Sequence, residues 1–309
     1  MVTVVEAPSR TGTPVTRALP VRRHGRLTPY LFLSPFLVLF VGFVLIPAIF
    51  GLWVSLHDYN YLLPGKPWVG LRNYVDLFTP GSRDSGDFWK SMLATGIFTV
   101  FSVPFLIVCP LGVALLLNRA FPGRSFFRAV FFAPYVLGVA VVGILFRFVL
   151  DPNIGLVNYY LGHAIPWTTE VPWAWVSLIG MTVWWTLGFN AVIYLAGLQD
   201  ISPELYEAAR MDGASRWAEF RNVTLPGLRP VLAFVTTVTI LASANMFGQS
   251  FLLTKGAPAN ETRTAIMYIA QTGLASNRQG MAAAMSYLLA LILLAVSVLN
   301  MRLTGRRSS

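Results

Sequence analysis

The side chains of this sequence best suited to chemistry include a short acidic set. Asp200, Glu204, Glu207, Asp212 and Glu219 stand among Ala208, Ala209 and Gly213. Carboxylates beside methyl-sized side chains make a recognition surface: small residues let a second backbone approach, and an acid pairs with an incoming arginine. A second set is uncharged. Ser243, Asn245, Gln249 and Ser250 lie close together, and Trp184, Trp185, Thr186 and Asn190 form a similar group upstream. Amides beside indoles suit a hydroxyl-rich ligand, giving hydrogen bonds to hydroxyls and a flat apolar face to a sugar ring. They equally suit bonding between helices, where amides and small residues satisfy one another. Both readings stay open for Asn245, Gln249, Ser243, Trp185 and Asn190. Catalytic patterns are absent: there is no His-Glu-x-x-His, no Gly-x-Ser-x-Gly and no Gly-x-x-x-x-Gly-Lys-Ser/Thr phosphate loop. His24, His57 and His163 have no Cys or carboxylate at metal-ligand spacing and are expected to be solvated.

These groups are carried by an apolar body. The 309 residues are 55% hydrophobic and 12% charged, against about 25% charged in a soluble domain. Of 36 Lys, Arg, Asp and Glu, all but Arg147 fall outside six apolar runs, Tyr30–Leu56, Met92–Leu117, Ala129–Leu150, Trp173–Leu198, Val231–Leu253 and Ala282–Met301. Each reaches roughly the 20 residues that carry a helix across ~30 Å of hydrocarbon. The expectation is an all-α membrane protein of six transmembrane helices. The first run is too long for the apolar core of a cleaved signal and is expected to be retained. Trp173 and Trp175 are expected to mark the outer edge of the fourth span. Arg147 is expected to pair with Asp151 or to snorkel. Cys109 lies inside the second run and is expected to serve as a small apolar residue.

Orientation follows from the basic residues. The tails and the second and fourth connections hold fifteen Lys and Arg; the other connections hold seven, with Arg147 set aside. Both termini are therefore expected in the cytoplasm. The net charge of +10 fits anionic headgroups, and no aromatic-interleaved basic patch points to nucleic acid. Residues 1–29 are expected to be a disordered basic tail, 30–301 the spanning domain, and 302–309 a second cytoplasmic tail.

The acidic set falls in the fourth connection, about residues 200–227. Ser202-Pro203 is expected to start a helix, with Ser202 as its cap. Gly213 stops it in the left-handed conformation. Ser215 caps a second helix in which Trp217 and Phe220 share a face, and Leu225-Pro226 ends it before Pro230 opens the fifth span. Five acids against Arg210 and Arg216 fit a protein partner better than a lipid surface, where basic side chains would prevail.

This stretch resembles the EAA loop of the permease subunits of ATP-binding-cassette importers. Glu207-Ala208-Ala209 is followed after three residues by Gly213, and after nine more by Val223-Thr224-Leu225-Pro226, with Val in place of the usual Ile. Gly70–Tyr74, Phe132–Tyr135, Asp151–Asn158 and Leu252–Pro258 resemble the carbohydrate-uptake branch, with its maltose- and glycerol-3-phosphate-type permeases. The resemblance implies a type I importer permease fold in the cytoplasmic membrane of a prokaryote. It implies pairing with a second, similar permease, engagement of two ATPase subunits that bind ATP and Mg, and delivery of substrate by an extracytoplasmic binding protein. Coupling to the ATPase is implied for Glu207, Ala208, Ala209, Asp212, Gly213, Leu225 and Pro226. No cofactor or metal is expected in this chain, whose other partner is membrane lipid. The rival is a secondary transporter or channel not driven by ATP; it would need an intramembrane ion relay, yet the six runs contain no Asp, Glu, His or Lys.

Overall fold

A computed structural model describes residues 28–305. The expected N-terminal tail, but for its last two residues, and residues 306–309 of the second tail lie outside them. The described chain is helical, with a single β-bridge between His57 and Trp68. Two compact units divide after Ile49. The first contains helix α1 (Thr28–Phe40), a π turn at Val41–Leu45 and the start of α2 (Ile46–Ser55). Pro47 explains the π turn. A proline supplies no N–H and crowds the carbonyl four residues back, so the helix widens before it, and the Ile46 amide reaches back to Val41.

The second unit holds the remaining helices: α3 (Arg72–Phe78), α4 (Arg83–Asn118), α5 (Arg124–Val136), α6 (Val139–Val149), α7 (Leu156–Leu161), α8 (Trp173–Gln199), α9 (Pro203–Met211), α10 (Arg216–Glu219), α11 (Leu225–Gly227), α12 (Arg229–Ala244), α13 (Ala265–Ala270) and α14 (Gln279–Gly305). Among the described residues, four helices are long and apolar enough to cross a membrane: Tyr30–Ser55, α4, α8 and Gln279–Asn300. The third expected span is not one rod. α5 and α6 meet at 95°, so neither piece alone has the length to cross. The fifth also departs from expectation: α12 stops at Ala244, and the run continues past Asn245 into a separate π turn, Ser250–Thr254. Counting α5 with α6 as one span, and Arg216–Gly227 with α12 as another, gives up to six among the described residues.

α4 and α8 form the centre. At one end Ala114 of α4 packs with Ala191, Tyr194, Leu195 and Leu198 of α8 and Val235 of α12. Further along, Phe98 of α4 meets Val142 of α6, Leu178 and Met181 of α8, and Met246 and Leu253. At the far end α3, α4, α13 and α14 share Leu77, Phe88, Tyr268, Met281 and Met285. α5 lies close on α8 at Gly188, where a Cβ would strike the backbone carbonyl of Phe131.

Polar ties fix the Leu77–Met285 end. Asp84 accepts two bonds from Arg278, at 2.8 and 2.6 Å, and a third from the Tyr268 hydroxyl at 3.2 Å. Burial first, then the neighbouring Asp84 charge, pushes the Tyr268 phenol up to about 12, so it remains a donor. Arg263 pairs with Asp87 at 2.9 Å and lies over the Tyr268 ring. His57 departs from the solvated expectation. It is 7% exposed, within 2.7 Å of the Trp53 carbonyl through Nδ1, and boxed by Trp53 and Trp68. It closes the end of α2 as part of an aromatic cluster. His163 is exposed as expected, and His24 lies outside the described residues. Arg147 forms no ion pair with Asp151. That carboxylate instead accepts the amides of Asn153 and Ile154, at 2.9 and 3.1 Å, holding its own turn, and Arg147 acts on it only as a more distant charge.

Candidate functional site

The acidic stretch folds as a helix–turn–helix. α9 opens on Pro203, whose missing N–H costs nothing at the first helical position. Ser202 does not cap it: its side chain makes no bond there, and the Leu205 amide bonds the Ser202 backbone carbonyl at 3.2 Å instead. Gly213 ends α9 at φ +78°, with the Ala214 amide bonded back to Ala209 at 2.9 Å and the Gly213 amide to Arg210 at 3.0 Å. This is the left-handed cap expected of that glycine. Space for a Cβ is open, so the demand for glycine is one of backbone conformation alone.

Ser215 then caps α10 by accepting the Ala218 amide at 3.3 Å, and Trp217 stacks on Phe220 at 5.4 Å. Leu225-Pro226 does not end the second helix. The chain widens to a π turn at Phe220–Thr224, carries Pro226 within α11 and stops at Leu228, so that Arg216–Gly227 meets α12 at 67°. The cause matches that at Pro47: a π turn ends two residues before the proline and absorbs the crowded carbonyl.

Two contacts absent from the sequence reading lock the hairpin. Arg210 donates to Glu219 at 2.9 Å across the turn, and the Tyr206 hydroxyl lies 3.0 Å from that of Thr224. The Glu219 carboxylate, first as hydrogen-bond acceptor and then as charge, raises the already high Arg210 pKa further. The opposed charges stood only nine residues apart in the sequence, but the register depended on the Gly213 cap. Glu207, Ala208 and Asp212 are exposed, and Ala209 is half-buried. Met211, Trp217 and Leu205 are 88%, 69% and 54% exposed. The hairpin thus presents acids, small residues and uncovered apolar side chains together.

The uncharged set is drawn apart by use. Asn190 is buried and donates from Nδ2 to the Leu106 carbonyl of α4 at 3.1 Å. Leu106 lies four residues before Pro110, so its carbonyl has lost its helical amide; Asn190 replaces it. Ser243 is buried and bonded to Ser102 of α4 at 3.3 Å. Trp185 donates from Nε1 to the Leu137 carbonyl, 2.9 Å away, at the α5–α6 break, and Tyr135 stacks between Trp185 and Phe189. Asn190, Ser243 and Trp185 therefore join helices. Asn245 is exposed and caps α12, donating to Leu241 at 2.8 Å, and Gln249 is half-buried beyond the break. Near that break Gly248 closes on Val139 of α6, so the two interrupted helices meet there. No group of three or more metal-ligating side chains occurs among the described residues.

Fold and site together define an all-α, multi-span membrane transport component: broken apolar helices around an uncharged interior, with an exposed helical hairpin at one end. The chain belongs to the family of binding-protein-dependent transport system inner membrane components, whose model matches residues 78–308. It is similar to the arabinooligosaccharides transport system permease protein AraP of Bacillus subtilis, 33% identical over 288 residues, covering 91% of this chain and 89% of that one. It is similar to the trehalose/maltose transport system permease protein MalF of Thermococcus litoralis, 30% identical over 277 residues and 88% and 92% of the two chains. The lactose transport system permease protein LacF of Rhizobium radiobacter is 33% identical over 260 residues, covering 81% of this chain and 84% of its own. In fold the chain matches a chain of a bacterial alginate ABC transporter, crystallised with its alginate pentasaccharide-bound periplasmic protein. The TM-score is 0.77, with 24% identity over 91% and 95% of the two chains. This chain is thus a transport permease subunit rather than an enzyme, and ATP hydrolysis falls to separate ATPase chains.

Proposed function

We propose that this chain is one of two paired permeases of an ATP-driven importer of sugars or oligosaccharides, with six spans and both termini in the cytoplasm. An extracytoplasmic binding protein delivers the substrate, and two ATPase subunits bind ATP and Mg. The observation that carries the coupling is the Glu207–Gly213 helix and its left-handed cap, exposed and braced by Arg210–Glu219. Glu207, Ala208, Ala209, Asp212 and Gly213 seat in the ATPase. Leu225 and Pro226 join the hairpin to α12, so that its displacement reaches the spans as rigid-body movement. Supporting a saccharide over a glycerol phosphate, the three relatives named above carry saccharides in their names, and the polar groups of the spans, Arg147 apart, are amides and hydroxyls rather than cations. Asn245 and Gln249 line the path; Ser243, Trp185 and Asn190 position the helices around it.

Uptake by intact cells is the test. With ATP held constant, collapse of the proton gradient leaves transport of the imported saccharide unchanged, and a tagged copy purified in mild detergent brings a second permease and an ATPase. Uptake that stops with the gradient, with neither partner retained, overturns the proposal in favour of a secondary transporter.

A further inference from the structure

A cavity of about 580 Å³ opens between the hairpin and the ends of α4 and α8. Its lining is two-faced. Leu115 of α4, Leu198 of α8 and Phe220 give an apolar wall; Arg119, Arg210 and Arg216 give a cationic one, against a single acid, Glu219. That acid is already committed to Arg210 at 2.9 Å. Arg119 and Arg216 are exposed and enter no ion pair among the described residues, so the cavity keeps two uncompensated positive charges. Its level is fixed by the two long spans whose last turns form its walls. It therefore lies where headgroups lie, and it offers apolar side chains and arginines to one occupant. Basic pockets between spans on the cytoplasmic side are sites for anionic headgroups, and guanidinium groups are suited to phosphate oxygens.

We propose that this cavity binds an anionic phospholipid, with Arg119 and Arg216 on the headgroup phosphate and the glycerol–acyl edge against Leu115, Leu198 and Phe220. The apolar wall favours a lipid over free phosphate, which would leave it uncovered. Because one wall belongs to the hairpin, a bound lipid braces the element through which the ATPase is proposed to act. The inference rests on the cytoplasmic placement of that hairpin.

The test uses the full transporter in nanodiscs of phosphatidylcholine alone or of an equal mixture with phosphatidylglycerol, and counts retained phosphatidylglycerol by native mass spectrometry. The wild type retains it. The combined Arg119→Gln and Arg216→Gln variant retains it about thirtyfold more weakly, the worth of two arginines near an anionic surface. The Arg119→Lys and Arg216→Lys pair, which keeps the charge and controls for folding, retains it. Equal retention by wild type and the glutamine variant overturns the proposal, as does displacement of the lipid by inorganic phosphate at matched concentration. Loss of the ATPase from the glutamine variant in both lipid mixtures also overturns it, assigning the arginines to a protein contact. Placement is checked separately with Met211→Cys in a Cys109→Ser chain. Labelling by an impermeant reagent outside sealed cells refutes the cytoplasmic hairpin, whatever the lipid count; protection there with no lipid retained refutes the lipid site alone.

Discussion

Asn190 shows how a single side chain changes meaning once its neighbours are known. Its amide stands in for the N–H that Pro110 lacks, bridging α8 to the Leu106 carbonyl of α4. Asn190→Leu leaves that carbonyl unpaired in an apolar interface and should cost about 1 kcal/mol, read as a lower melting temperature in detergent; Asn190→Gln should recover part of it. Asp151 gives a prediction in pH. The Asn153 and Ile154 amides hold its pKa below the usual 3.8. A group depressed in the folded state stabilises above its unfolded pKa, and that contribution fades as pH falls through the folded value. The turn should therefore be intact at neutral pH and loosen only in acid below 3.8, followed by the carboxyl carbon shift of Asp151. The Asp151→Asn variant should show no such titration.

Among the elements, the apolar runs were readable because hydropathy alone demands helices in lipid. The Gly213 cap and the Pro203 start were readable from local chemistry. The bends were not. Nothing in Val136–Val139 but Gly138 marks a 95° turn, and what allows it is tertiary: Trp185 supplies a donor to the carbonyl freed at Leu137. The buried His57 was likewise invisible, since its aromatic box closes only when Trp68 returns beside it, adding to the contact it already makes with Trp53. Ser202 failed as a cap because the Leu205 amide, a donor its side chain would have taken, bonds the Ser202 backbone carbonyl instead. Elements also explain the Asp84 cluster, which ties α4 to α13 and α14. Asp84→Asn leaves Arg278 and Tyr268 without their shared anion in a site where Asp84 is 4% exposed. It should destabilise by about 2 kcal/mol, since Arg278 keeps partial contact with solvent, seen as a lower melting temperature and faster proteolysis within Lys255–Arg278.

For the molecule as a whole, the chain combines bent apolar helices with a rigid polar hairpin at one end and no hydrolytic machinery of its own. In the proposed function the driving force comes from separate ATPase chains, and the hairpin is the element on which they act. α4 and α8 supply the packed centre, and the chain bends by 95° between α5 and α6 and by 67° where the hairpin meets α12. Asn190, which joins helices, and Asn245, which caps α12, are the same residue type in the same kind of apolar run, which is why sequence alone could not sort them.

The claim that this hairpin transmits the work of ATP hydrolysis is tested most directly by Gly213→Trp in the purified transporter, reconstituted with its binding protein and saccharide. A bulky residue at φ +78° strains the cap by about 1–2 kcal/mol, too little to prevent insertion. The account predicts that substrate-stimulated ATP hydrolysis and uptake are lost while the membrane content of the chain is unchanged. Full stimulation and transport in that variant would contradict it.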